Sequence, residues 1–447
     1  MEEKKKDRYW LKSAILTVLQ SMSGVLLGFG SFYMLVRVLT KYEFGAWTLF
    51  TATTTILEFI RNGLVQSALI KFLAGASKEE RPKIISASFT ISGALTVFYV
   101  IISYGLAVFL SHLWKLPELQ AMFLLFTLVF ICSGFLTQFQ SIEQSGFNFK
   151  GIFISTLIRQ GGLFLYILVA YLGYAKMELI NLVYVQIIST FISAVVSYFY
   201  VRNMFTIAMQ WQKEWMLKLF NYGKYAFGTT ISAMLSNSID QMMLGGILSA
   251  ASAGAYNVAV RITNLVEIPT SSIATIVFPQ SASRMESQGK EAVKYLYEKS
   301  VGAVLAILMP GLIFLFFFAG WVVDIIAGQT YADTIPVLRV TVLYCILIPY
   351  GRQFGTVLDS MGKPKLTFII VMISGFTNAL LNYLLIKKLG VMGAAWATLA
   401  SNIIGFVIAQ IILKRELDIN LGNTWRYAFG FYPEMYNKYV KPIFKKA

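Results

Sequence analysis

Charge is scarce in this chain. Asp, Glu, Lys and Arg make up 13% of its 447 residues, about half the ~25% usual in a soluble domain. With 57% hydrophobic residues and a mean hydropathy of +0.65, that excludes a water-soluble fold and marks an integral membrane protein. Cysteine is nearly missing: Cys132 and Cys345 both lie in apolar runs, so there is no disulfide framework and no metal-ligand spacing. His112 is the only histidine, which argues against a metal site. No Gly-rich phosphate loop, nucleophile elbow or ATPase module occurs. Neither an enzyme nor a cofactor is therefore expected, and any pumping must draw on an ion gradient or on the substrate's own gradient. Strand-like alternation is absent, which excludes a barrel. The net charge of +16 is not a nucleic-acid footprint, because the basic residues sit between apolar runs.

What is present is a succession of those runs. A helix needs about 20 mostly apolar residues to cross a bilayer. Twelve segments qualify: 13–36, 45–70, 84–110, 119–142, 152–172, 179–201, 219–247, 255–279, 300–322, 335–358, 367–386 and 391–413. The first follows a basic start and reaches Val36 without a small-residue cleavage site, so it reads as a retained helix rather than a signal peptide. Lys and Arg in the connecting stretches divide 26 to 6 between the two sides. The basic side is expected in the cytoplasm, with both termini. The stretch 202–218, with Trp211, Lys213, Trp215 and Lys218, predicts an amphipathic helix at the cytoplasmic interface. The tail is aromatic and basic with no spanning run, and predicts an interfacial anchor on anionic lipid. The expected organisation is all-α: an N-lobe over 1–201, a linker over 202–218, a C-lobe over 219–413 and a cytoplasmic tail over 414–447.

The two lobes are expected to be copies. At a shift of 209 positions, Leu35–Glu58 falls on Leu244–Glu267: Leu39 meets Leu248, Thr40 Ser249, Gly45 Gly254, Trp47 Tyr256, Thr54 Thr263 and Glu58 Glu267. At a shift of 217, Leu163 meets Leu380, Tyr166 Tyr383, Leu172 Leu389 and Gly173 Gly390. Six helices separate the copies, so the halves run parallel about an axis along the membrane normal. Such repeats are a known way to build a transporter.

A charge at the centre of a membrane helix costs about 2.5–3.5 kcal/mol, so it usually faces a cavity or a partner. The candidates are Glu58, Arg61, Arg159, Asp240, Arg261, Glu267, Arg339 and Arg352. In the second helix Thr51, Thr54, Thr55, Glu58, Arg61, Asn62 and Gln66 form a polar stripe; in the eighth, Asn257, Arg261, Asn264, Glu267 and Ser271 do. The seventh carries Thr229, Ser232, Ser236 and Asp240, and the first a fainter stripe with Thr17 and Gln20. These four helices are expected to turn their stripes to a watery cavity lined by Gln20, Asn62, Gln66, Asn257 and Asn264. Glu58 and Arg61, three apart, also suit an ion pair on their own helix, and Arg339 and Arg352 also suit snorkelling to an interface. Asp240, Glu267 and Glu58 are the candidates to bind a driving H⁺ or Na⁺. Asp240 leads, because no base lies one turn away and its repeat partner, Ser31, is uncharged. Pro269 is expected to kink the eighth helix.

The motifs LVRVLTKYEFGAWTLF, DQMMLGGILSAASAGAYNVAVRI, LDSMGKPKLTF and NALLNYLLIKKLGVMGAAWAT carry a resemblance. Arg37, Leu39, Phe44, Gly45, Asp240, Leu244, Gly245, Gly254, Tyr256, Arg261, Gly362, Lys363, Asn378, Asn382, Gly390, Gly393 and Ala394 fit its pattern. The chain resembles the multidrug/oligosaccharidyl-lipid/polysaccharide exporter superfamily, in its Wzx-type lipid-linked oligosaccharide flippase branch. The resemblance implies a V-shaped twelve-helix bundle with two six-helix lobes, working by alternating access in a bacterial inner membrane. It implies an undecaprenyl-diphosphate-linked oligosaccharide as substrate, moved to the periplasmic leaflet. That anionic headgroup agrees with the excess of buried bases, and Arg61, Arg261, Arg159, Arg352 and Arg339 are expected to bind it. A drug or metabolite antiporter of the same fold is the alternative. Expected partners are the glycan lipid, the coupling ion, membrane lipid and a glycan polymerase, with the chain itself a monomer.

Overall fold

The structure is a computed structural model. It describes the backbone of residues 2–146, 148–208 and 212–437, and their side chains except 2–18, 225–226 and 228–237. Every regular element among the described residues is helical. In chain order these are α1 (Glu2–Val38), α2 (Lys41–Ala74), α3 (Arg81–Trp114), α4 (Glu118–Ser145), α5 (Lys150–Tyr171), α6 (Leu179–Val201), α7 (Lys213–Ile247), α8 (Ala250–Thr263), α9 (Glu267–Gln288), α10 (Lys290–Phe317), α11 (Ala319–Ala327), α12 (Ile335–Cys345), α13 (Ile348–Ser360), α14 (Pro364–Leu389), α15 (Val391–Leu417) and α16 (Leu421–Met435).

Nine stretches among the described residues are long and apolar enough to cross a membrane. The expected segments in α2, α7 and α8–α9 are not among them. The reason is their polar content: α2 alone holds Glu58, Arg61, Asn62 and Gln66, and α8 has only 14 residues. The break that isolates α8 is a 3-10 turn at Asn264–Val266. Pro269, at the third position of α9, cannot donate to the carbonyl of Leu265 and crowds it, so the chain breaks one turn before the proline. The expected single segment 335–358 is likewise two helices, α12 and α13, parted just before Pro349.

The repeated turn is visible in the helix boundaries. α1 ends at Val38 and α7 at Ile247; α2 starts at Lys41 and α8 at Ala250. Both pairs keep the shift of 209. The first turn is closed by a capping box, in which Glu43 N donates to Thr40 Oγ1 (3.2 Å) and Thr40 N to Glu43 Oε2 (2.9 Å). The second repeat holds through its glycines, Gly173 (φ 84°) and Gly390 (φ 61°). Beyond them the register parts, because α15 starts at once at Val391 and α6 only at Leu179.

The described chain forms two compact units. The first is Met1–Leu235 with Ser249–Ala251; the second is Ser236–Leu248 with Ser252–Ala447. The division falls inside α7, later than a lobe boundary at 201. The start of α7 belongs to the first unit because it packs on α2. Leu219 is buried beside Leu69 and Leu73, Phe72 meets Trp215 and Tyr222 edge-on at 6.0 and 5.8 Å, and Gly223 lies against the Leu64 carbonyl with no room for a Cβ. Residues 202–208 are not an amphipathic helix. They fold back, with Phe205 against Phe89 (5.4 Å) and Phe139 (5.5 Å) and Ser86 Oγ donating to the Ala208 carbonyl (3.0 Å). Trp211 lies outside the described residues.

The tail also differs from a simple interfacial anchor. α15 continues to Leu417, and α16 docks on α10 in the core of the second unit. Glu298, 2% exposed, accepts from Asn420 N (2.7 Å) and Asn423 Nδ2 (2.8 Å). Further along, a Cβ on Gly302 would sit 2.7 Å from both the Thr424 carbonyl and Tyr427, and Tyr432 Oη donates to the Ala306 carbonyl (2.6 Å). The contacts advance together from 298 to 306 and from 420 to 432, so α16 runs parallel to α10 along its apolar part. Gly302→Leu is expected to lift α16 away at a cost of about 1–3 kcal/mol. Thermal unfolding of the purified protein should begin several degrees lower, and added protease should cut after Leu417; an unchanged midpoint and cleavage pattern would contradict this docking.

Candidate functional site

Asp240, near the end of α7, is 5% exposed and sits among neutral polar groups of the second unit. Its Oδ2 accepts from Tyr256 Oη of α8 (2.7 Å) and from Thr398 Oγ1 of α15 (2.7 Å). Its Oδ1 accepts from Asn382 Nδ2 of α14 (2.6 Å). Asn382 Nδ2 also reaches the Oδ1 of Asn378 (3.0 Å), one turn earlier, and Asn378 Nδ2 donates to Thr398 Oγ1 (3.2 Å). Four helices, α7, α8, α14 and α15, each contribute polar side chains to the cluster.

No base stands in the cluster among the described residues. Its donors are hydroxyls and amides, which leave one negative charge uncompensated in an apolar setting, a costly arrangement unless a cation or proton visits. Asn382 Oδ1 is buried with no hydrogen-bond partner among the described residues. An orphan acceptor of this kind costs about 1–3 kcal/mol, and it lies on the residue that touches the carboxylate. Oxygens of Asp240, Asn378, Asn382 and Thr398 together offer the hard donor set that suits a small cation, and one carboxylate matches one positive charge. Asn378, Asn382 and Thr398 carried no role in the sequence reading of the ion site. The available signal was the Asn-x-x-x-Asn spacing in an otherwise apolar helix, which puts two amides on one face.

The stripe expected on the eighth helix falls across α8, the 3-10 turn and the start of α9. Asn257 is buried, whereas Arg261, Asn264 and Glu267 are exposed. Arg261 makes no hydrogen bond or ion pair with another described residue. Arg339 on α12 and Arg352 on α13 are exposed as well.

In the first unit the stripe on α2 splits. Arg61, expected to meet the substrate, is 1% exposed and turned toward α4. It donates to the Phe130 carbonyl, to Ser133 Oγ (2.9 Å) and to Asn62 Oδ1 (3.2 Å), and its guanidinium lies 4.1 Å over the Phe130 ring. Thr54 is seven residues earlier, hence on the same side, and is buried too. Glu58 does not pair with Arg61. It takes Arg159 of α5, with Nη2 2.9 Å from Oε1 and 3.1 Å from Oε2, and so is not a free carboxylate for an ion. Gln20, Asn62 and Gln66 are half-buried. Of the stripe on α7 only Asp240 has a described side chain; Thr229, Ser232 and Ser236, with Thr17 of α1, lie outside.

The sequence profile of a family described as polysaccharide biosynthesis protein matches residues 34–336, more than half of the chain. The chain belongs to that family. The chain is 25% identical over 201 residues to the probable low-salt glycan biosynthesis flippase Agl15 of Haloferax volcanii, covering 45% of this chain and 43% of that one, less than half of its length. It is 21% identical over 409 residues to the lipopolysaccharide biosynthesis protein WzxC of Escherichia coli, covering 90% of this chain and 77% of that one. Among solved structures it resembles the lipid II flippase MurJ in its inward closed conformation, with a TM-score of 0.75 at 15% identity over 96% of this chain and 93% of that one. At that identity the likeness is one of fold.

Proposed function

We propose that this polysaccharide biosynthesis protein flips a lipid-linked oligosaccharide from the cytoplasmic to the outer leaflet, by alternating access coupled to H⁺ or Na⁺. The family match over residues 34–336 carries the reading, and the names of Agl15 and WzxC point the same way. In this reading the chain spans the membrane twelve times with both termini inside, as the 26-to-6 division of basic residues favours.

The substrate class follows from the charge. A polyprenyl-diphosphate headgroup is anionic, and Arg grips phosphate with a planar, bidentate fork. Arg261, exposed and unpaired among the described residues, is the foremost contact. Arg339 and Arg352 are exposed, and Arg159 is held ready by Glu58, whose carboxylate a phosphate would replace. Asp240 is the coupling carboxylate.

Deletion of the gene in its source organism is the test. The expected outcome is loss of a surface glycan and accumulation of its lipid-linked precursor, both reversed by a plasmid copy. An unchanged glycan together with sensitivity to cationic drugs would replace this reading with the antiporter.

A further inference from the structure

Tyr256 stands in the sequence as the counterpart of Trp47 and as one residue of the family pattern, with no part in the ion site. Its surroundings give it a more specific part. The ring is 1% exposed, and its hydroxyl has two neighbours, Asp240 Oδ2 at 2.7 Å and Thr398 Oγ1 at 3.3 Å. It is the only residue of α8 in the Asp240 cluster, whose other members stand on α7, α14 and α15.

α8 differs from those three helices in how it is held. It is 14 residues long, entered by the turn at Leu248–Ser249 and left by the 3-10 turn at Asn264–Val266. The helix is broken at Leu248–Ser249, and at its other end the α pattern tightens to a 3-10 turn, so the segment is a short rod between two changes of backbone geometry. Arg261 lies five residues beyond Tyr256 on that rod, about 7.5 Å along its axis at ~1.5 Å per residue.

The carboxylate has limited room. An ionised carboxyl oxygen accepts through about two lone pairs, and Oδ2 already takes two hydroxyl donors, Tyr256 and Thr398. A cation arriving at Oδ2 must displace one of them, and a proton there converts an acceptor into a donor with the same effect. Thr398 can stay, since its oxygen turns from donor to ligand while its hydrogen points away. The Tyr256 oxygen shifts only with its ring, so of the two donors on Oδ2 it is the one whose departure moves a helix.

We propose that Tyr256 is a positioning residue whose hydroxyl ties α8 to the Asp240 cluster, so that occupancy by a monovalent cation or proton sets the position of the helix that carries Arg261. This rests on the cation-coupling reading of Asp240. The coupling is reciprocal: whatever draws α8 from the cluster by binding Arg261 also changes the cluster's affinity for the cation.

The test uses the full-length purified protein carrying Cys132→Ala and a reporter, Asn264→Cys, at the end of α8. Two quantities are read in Na⁺ against K⁺, and separately between pH 8 and pH 6: the thermal midpoint, and the rate of reaction of the reporter with a charged methanethiosulfonate. The Na⁺ and pH arms distinguish the two ions. In the parent either ion should raise the midpoint and change the labelling rate several-fold. Tyr256→Phe should keep the rise in midpoint and lose the rate change; Tyr256→His, which retains a donor, should recover part of it; Asp240→Asn should lose both. A Phe variant with the full rate change, a His variant as unresponsive as Phe, or a parent whose midpoint shifts without any rate change would overturn the tie while leaving the cation site intact. A parent indifferent to both ions in both readouts removes the cation-coupling reading itself, and the tie with it.

Discussion

Asp240→Asn is expected to give a protein that inserts normally, reaches normal abundance and no longer responds to the cation gradient. The amide is close in size to the carboxyl and keeps one acceptor oxygen, so the contacts with Tyr256, Thr398 and Asn382 are disturbed but the packing is not. What disappears is the charge. Removing one partner of a buried charge interaction costs about 2–5 kcal/mol, which at ~1.4 kcal/mol per tenfold weakens cation binding by roughly 30-fold to several thousand-fold. Transport into proteoliposomes under an imposed Na⁺ or pH gradient measures the effect, with abundance checked by blot. An Asn variant that keeps its full gradient dependence would transfer the coupling to another residue, with Glu267 next because it is exposed on the same unit.

Arg61 and Arg261, each on a polar stripe of its own half, are expected to fail in different ways. Arg261→Ala should abolish glycan export at normal protein level, and Arg261→Lys should restore it only in part, since an ammonium cannot reproduce the bidentate contact. Arg61→Ala should instead reduce the amount of folded protein. It removes the guanidinium packed on the Phe130 ring, with its donors to the Phe130 carbonyl and Ser133, and leaves a void between α2 and α4, at about 2–5 kcal/mol by comparison with other large buried side chains cut to Ala. Surface-glycan complementation in a deletion strain, read beside membrane abundance, separates the two. Full complementation by Arg261→Ala would remove Arg261 from the substrate site.

The difference between these arginines shows where sequence reading stops. The helices were legible because each is a run of apolar residues with polar ends: the segment 179–201 coincides with α6, and the repeated turn is preserved to the residue at Val38 and Ile247. That no base stands one turn from Asp240 was legible too, because that depends only on its own helix. Its cage was not. Asn382 and Thr398 lie 142 and 158 positions away, and nothing in a single pattern brings them together. The same holds for Arg61, whose partners stand 69 and 72 positions off; spacing placed it on the stripe with Glu58, and packing turned it the other way. The docked tail escaped for a related reason. Residues 421–435 have no run long enough to span, and only the small side of α10 at Gly302 reveals where they go.

Glu298 has a consequence for how the chain is made. Its acceptors are met by Asn420 and Asn423, some 120 residues later in synthesis. Until those residues leave the ribosome, α10 carries a carboxylate that its own half cannot yet satisfy, and it must wait at the watery edge of the bilayer. The second unit therefore closes late: α16, made after α10 to α15, is the helix that lets α10 settle. A chain stopped after α15 would hold every apolar segment and still lack the piece that completes the order of assembly.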